Sequence, residues 1–170
     1  MVYIALLVSL LLIGVDQFFK YLVVTKMYEY EAIPFIKIGD TEILNLTYVQ
    51  NRGAAFGSFE NMQIFLIIIT AILIVAGIYL LISKKVNKPF LIWTIALIIA
   101  GGTGNLIDRI FRGELFAGYV VDYIEIKLFK FAVFNFADIC VVVGAFMLII
   151  YTIVSENKSS KKEKITDESD

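Results

Sequence analysis

Four apolar stretches, at roughly 2–24, 63–82, 90–107 and 134–154, constrain this chain more than any other feature. Each is close to the ~20 residues that carry a helix across the hydrocarbon core of a bilayer. Such stretches cannot all be hidden in one water-soluble core. Hydrophobic residues make up 59% of the 170 and the mean hydropathy is +0.83, whereas an ordinary globular chain is about 45–50% apolar. The expected fold class is an α-helical membrane protein with four transmembrane helices.

The first stretch, "MVYIALLVSLLLIGV", has no basic leading segment and is followed by no small-residue cleavage site. It therefore reads as a retained helix rather than a removed signal peptide. Lys84, Lys85 and Lys88 crowd the short link between the second and third stretches, and Lys158, Lys161, Lys162 and Lys164 follow the fourth. The positive-inside rule puts both groups, and with them both termini, in the cytoplasm. Segments 26–62 and 108–133 then face outward. Within them "EILNLTYVQ" alternates and is rich in β-formers, and "YVVDYIEIKLFKFAVF" reads as strands or an interfacial hairpin. Together they suggest a small extracytoplasmic β-sheet on the outer membrane surface. The polar segment 155–170 has mixed charge and no apolar period, so we expect one membrane domain over 1–154 and a disordered cytoplasmic tail over 155–170.

Composition narrows the chemistry. There is no histidine, which removes Ser-His-Asp and Cys-His catalysis, the HExxH zinc proteases and His-ligated haem. One cysteine, Cys140, allows no internal disulfide and no four-cysteine metal site; it reads as a small apolar filler. A net charge of -1 lacks the basic surface of a nucleic-acid binder. Any catalysis must run on carboxylates, on lysine or on a cofactor.

Polar residues stand where the membrane should exclude them. Asp138, in "FNFAD", lies one turn inside the fourth stretch, with Asn135 one turn earlier. Asp122 lies in "VVDYI" of the second outer segment. Both carboxylates map to the outer interface. Two acids held together in a poorly solvated place share one proton, because both cannot easily ionise. One can then act as base towards water while the other, protonated, polarises a carbonyl. Alternatively, each merely accepts hydrogen bonds from backbone or from Arg109.

Asn105, Asp108 and Arg109 close the third stretch in "AGGTGNLIDRI", at a spacing that puts them on one face. Arg109 is a donor fork suited to peptide carbonyls, or half of a simple interfacial anchor with Asp108. Asp16 and Lys20 stand four apart in the first stretch. They read as a self-neutralising pair with Lys20 snorkelling, or as an anchor at the edge of a site. Asn51, Gly53, Ala54, Ala55 and Gly57 precede the second stretch and permit close approach of backbone or substrate, as Gly101, Gly102 and Gly104 do for neighbouring helices. Phe111, Phe116, Phe129 and Phe131 fit an interfacial belt or sheet packing.

Readings from other classes are a small proton-coupled transporter or a non-catalytic assembly subunit. A transporter expects acids near mid-bilayer and broken helices, but here the acids crowd one interface, and the only prolines are Pro34 and Pro89. An assembly subunit has no use for two acids beside two asparagines.

Five blocks in order, "DQFFK", "NRGAAFGSF", "GGTGNLIDR", "VVDYI" and "FNFAD", resemble those of the bacterial lipoprotein signal peptidases, also called signal peptidase II. The resemblance implies a four-helix membrane bundle with a small extracytoplasmic sheet, in the bacterial cytoplasmic membrane. It implies an aspartyl endopeptidase without a cofactor or metal, cleaving diacylglyceryl-modified prolipoproteins just before the lipidated cysteine. It also implies inhibition by the cyclic peptide globomycin. By the same resemblance Asp122 and Asp138 are catalytic, Asn51, Asn105, Arg109 and Asn135 line the substrate site, and Asp16, Lys20 and Asp108 support it. One departure is "IFRGELFAGY", longer than the family's usual GxV connection, in which either Gly113 or Gly118 is the family glycine.

Overall fold

The computed structural model describes residues 1–53 and 62–167, with side chains as far as Ser155. The close approach expected at Ala54, Ala55 and Gly57 lies outside the described residues. The elements, in chain order, are α1 (Val2–Lys26), β1 (Ala32–Ile38), β2 (Thr41–Asn51), α2 (Gln63–Ile82), α3 (Pro89–Phe111), β3 (Val120–Ile126) and α4 (Phe136–Asp167). All four helices are long and apolar enough to cross a membrane.

Helix α3 is the centre of the bundle and touches each of the other three. Its start is set by Pro89 in the first turn, where a missing N–H costs nothing. Apolar attraction between helices is weak in lipid, so close packing has to hold them. Gly101 supplies it: a Cβ there would overlap the Ala137 carbonyl and come within 2.7 Å of Val141 Cγ2. Near the α2–α3 link, Ala5, Leu81, Ile92, Ala96 and Ile99 form a buried cluster.

At the opposite end sits an antiparallel three-stranded sheet, ordered β1-β2-β3. Val23 of α1 packs there with Tyr48, Val121 and Tyr123, with Phe136 of α4 against them. Strand β1 is an edge, which is why it tolerates Pro34. Segment 119–134 does not form a regular hairpin. After β3 the chain loops out and returns to one bridge, Ile124 with Phe134. The Phe134 carbonyl accepts Tyr123 N–H at 3.0 Å and Ile124 N–H at 2.8 Å. That bridge brings Asn135 and the start of α4 against Asp122.

The α4 backbone stays helical to Asp167, into the segment where the sequence predicts disorder. A helix already nucleated in its apolar part extends at little further cost through residues such as Lys and Glu.

Candidate active site

Asp122 is the third residue of β3 and pairs in register with Val49 of β2. Asp138 lies in the first turn of α4. Asn135 precedes that helix, and the two make a reciprocal cap: Asp138 N–H donates to Asn135 Oδ1 at 3.0 Å, and Asn135 N–H donates to Asp138 Oδ2 at 3.0 Å. This is the capping-box arrangement with an aspartate at its third position. The acid is therefore placed by the requirement to start a helix.

Amides tie the two acids together. Asn135 Nδ2 donates to Asp122 Oδ1 at 2.7 Å and to Asn105 Oδ1 at 3.1 Å. Asn105 Nδ2 donates to Asp138 Oδ1 at 2.7 Å, and Asn51 Nδ2 donates to Asp122 Oδ2 at 2.8 Å. Asn51 Oδ1 also accepts Gly53 N–H at 2.9 Å, while Arg109 Nη2 donates to the Gly53 carbonyl at 3.0 Å. Asn51, Asn105, Arg109, Asp122 and Asp138 all line a cavity of about 500 Å³, whose remaining wall is apolar and includes Phe131, Phe134 and Val142.

Behind the cavity lies a buried ion cluster. Lys20 Nζ is 2.9 Å from both Asp16 Oδ2 and Asp108 Oδ2 and donates to Asn105 Oδ1 at 2.9 Å. Lys20 and Asp16 are 0% exposed, so Lys20 does not snorkel. Asp108 does not pair with Arg109 either. Consecutive helical residues point about 100° apart, so Asp108 turns towards α1 and β3 while Arg109 turns to the cavity. Asp108 takes Arg112 instead, at 2.9 Å and four residues on. Arg112 was findable from that spacing. Gln17, which donates to the Gly104 carbonyl at 3.0 Å, had no readable signal.

The longer connection folds back on the end of α3, with Phe116 N–H on Ile110 O and Gly118 N–H on Arg109 O. Both of its glycines are used. Gly113 takes φ of 88°, and a Cβ on Gly118 would overlap the Arg112 carbonyl and stand 2.7 Å from that of Asp108.

Burial, then the Asp138 charge, push the Asp122 carboxyl from 3.8 up to about 7, against the pull of the Asn51 and Asn135 amides. Asp122 thus binds its proton more tightly folded than unfolded. Its contribution to stability is full below about pH 4 and is lost as pH rises through about 7. Thermal melts of the native protein should fall across that window, and the Asp122→Asn variant should lose this part of the slope.

The signal peptidase (SPase) II family matches residues 8–154. The chain belongs to that family. As a signal peptidase II it is a multi-pass membrane aspartic endopeptidase. It is 43% identical to a lipoprotein signal peptidase of Clostridioides difficile over 91% of this chain and 97% of the relative. It is 42% identical to one of Halothermothrix orenii over 89% and 94%. A bacterial membrane enzyme solved by the in meso method at 2.3 Å superposes with a TM-score of 0.79 at 31% identity, covering 91% of this chain and 90% of that one. A second, solved at 1.9 Å, gives 0.73 at 32% identity, covering 87% and 91%.

Proposed function

We propose that this signal peptidase II removes the signal peptide from diacylglyceryl-modified prolipoproteins, with Asp122 and Asp138 as its catalytic pair. The observation that carries the pairing is Asn135, whose side-chain amide holds Asp122 while its backbone and side-chain oxygen hold Asp138.

In this reading Asp122 carries the proton of the pair, in keeping with its raised affinity for one. Asp138 is the base, at the positive end of α4, where a negative oxygen is well accommodated. Asp138 takes a proton from water as its oxygen attacks the scissile carbonyl carbon, and Asp122 passes its proton to the carbonyl oxygen. Collapse of the tetrahedral intermediate breaks the C–N bond. Asp138 returns a proton to the leaving amine, and the hydroxyl proton goes back to Asp122. Loss of the Asp122 proton stops the first step, so kcat/KM should fall above about pH 7.

Asn51, Asn105 and Arg109 hold the substrate, and Asp16, Lys20 and Asp108 support them. Asn135, expected beside the substrate, is 0% exposed and off the cavity wall, and acts by holding the two acids. Arg109→Ala should raise KM by about 10-fold, the loss of one charged hydrogen bond, and lower kcat less. An unchanged KM in a folded Arg109→Ala enzyme would remove that role. Both termini lie in the cytoplasm and the cavity opens at the outer face of the cytoplasmic membrane, which suits a bond held at headgroup depth. A precursor anchored by its lipid and its signal helix brings that bond to the acids already oriented. Globomycin, a cyclic peptide, fits the same cavity as a competitor.

The test is incubation of the purified protein with a diacylglyceryl-modified prolipoprotein and mass spectrometry of the products. Cleavage just before the lipidated cysteine supports the reading. Failure of the folded protein to cut such a precursor overturns it.

A further inference from the structure

We propose that Lys20 is a positioning residue that sets the separation of Asp122 and Asp138, an inference resting on those two acids being the catalytic pair. Three routes leave its ammonium, and each ends at one of them. Asp108 Oδ2, 2.9 Å from Lys20, also accepts the N–H of Val121, the residue before Asp122, at 3.2 Å. Asp16, 2.9 Å from Lys20 through Oδ2, accepts through Oδ1 the N–H of Ala137, the residue before Asp138, at 2.9 Å. Asn105 accepts from Lys20 at 2.9 Å and donates to Asp138 itself at 2.7 Å.

An ammonium has three protons, and here each has an acceptor. Lys20 thus holds strand β3 and the first turn of α4 at set distances from one point on α1, and fixes which way the Asn105 amide faces. It is 0% exposed and does not line the cavity, so it acts only through these partners. Stability alone is a poor reason for the cluster, since buried ion pairs seldom outperform well-packed apolar residues of the same volume. A point charge shared by three acceptors does fix geometry.

Lys20→Arg and Asp108→Glu test this, because both keep the cluster's charge and change its size. The two variants, with Asp16→Glu in reserve should either not fold, are compared with the parent enzyme and with Asp138→Asn. Active enzyme is titrated with a tight cyclic-peptide inhibitor and folding is followed by thermal unfolding. Kinetics use the same lipidated precursor from about pH 5 to 9, the range that brackets an acid near 7. Misplacing a reacting group by about 1 Å costs about 100-fold. We expect a kcat per titrated site lower by about that factor, with KM unchanged.

The high-pH limb should also move down. Asp122 faces Asp138, Asn51, Asn135, Arg109 and Lys20. Lys20→Arg keeps the positive charge but moves it, whereas Asp108→Glu leaves Lys20 in place, so a downward shift shared by both variants reports the distance to Asp138. Lower melting temperature with parental kcat and limb overturns the proposal and leaves Lys20 a purely structural residue. A fall in kcat without movement of the limb, or a change confined to KM, overturns it too. Turnover by Asp138→Asn instead refutes the catalytic pairing itself, whatever the Lys20 variants do.

Discussion

Asp122→Asn or Asp138→Asn should abolish cleavage, with a loss on the order of 10⁴-fold for a positioned acid or base, while the fold survives. In Asp122→Asn the new amide is neutral, like the protonated acid already favoured there, but its nitrogen would meet the amide donor of Asn51 or Asn135. That variant should melt somewhat lower than the parent at pH 7, with the fold intact. In Asp138→Asn the amide oxygen can still cap α4 by accepting Asn135 N–H, but the amide nitrogen would meet the donor of Asn105. Asn105 cannot simply flip, because Lys20 and Asn135 both donate to its oxygen. Asp138→Asn should therefore lose some stability as well as all turnover. Because the two acids work as one device, the double variant should be hardly slower than either single one. Turnover in either folded variant, measured by mass spectrometry of the precursor, would end the assignment.

The second large effect is expected from Gly101→Ala, a single methyl group. Its Cβ would overlap the Ala137 carbonyl, and relief requires α4 to move away from α3. Overpacking of this kind costs about 1–3 kcal/mol. Here it also displaces the turn that carries Asp138, so activity should fall further than stability. Gly14→Ala is the control: nothing lies within 4 Å of its added Cβ, and alanine favours a helix by roughly 0.5–1 kcal/mol over glycine. That variant should melt no lower than the parent and cleave normally. Equal melting and equal activity for Gly101→Ala would mean the helices can part at no cost.

Much of this arrangement was legible in the residues. Helices with a 20-residue apolar run announce themselves, and span 63–82 coincides with α2 as observed. The strand expected at 42–50 lies within β2, Thr41–Asn51. Asp122, Asp138, Asn51, Asn105, Arg109 and Asn135 stand out because polar groups in apolar surroundings need a reason; the first five line one cavity, while Asn135 lies buried off its wall. Strand β1 went unread. It is short, interrupted by Pro34 and exposed along its length, so it carries no burial pattern to betray it. The helical extension to Asp167 was likewise invisible to a reading of charge and apolar period.

Partners across long separations were beyond reach. Lys20 to Asn105 spans 85 positions and Ala137 to Asp16 spans 121, and no local period encodes either. Residue order alone establishes that this chain enters a membrane, which residues are too polar to be there without purpose, and that histidine cannot do the chemistry, which falls to carboxylates, lysine or a cofactor. Bilayer solvation acts residue by residue, so those conclusions follow from composition along the chain. It took the packed molecule to turn Asp108 from Arg109 to Lys20 and Arg112, to join the two acids through Asn135, and to set one buried ammonium against the supports of both. Those choices depend on which helix faces meet, and they are settled by packing at Gly101 and by the return of the chain from Ile124 to Phe134.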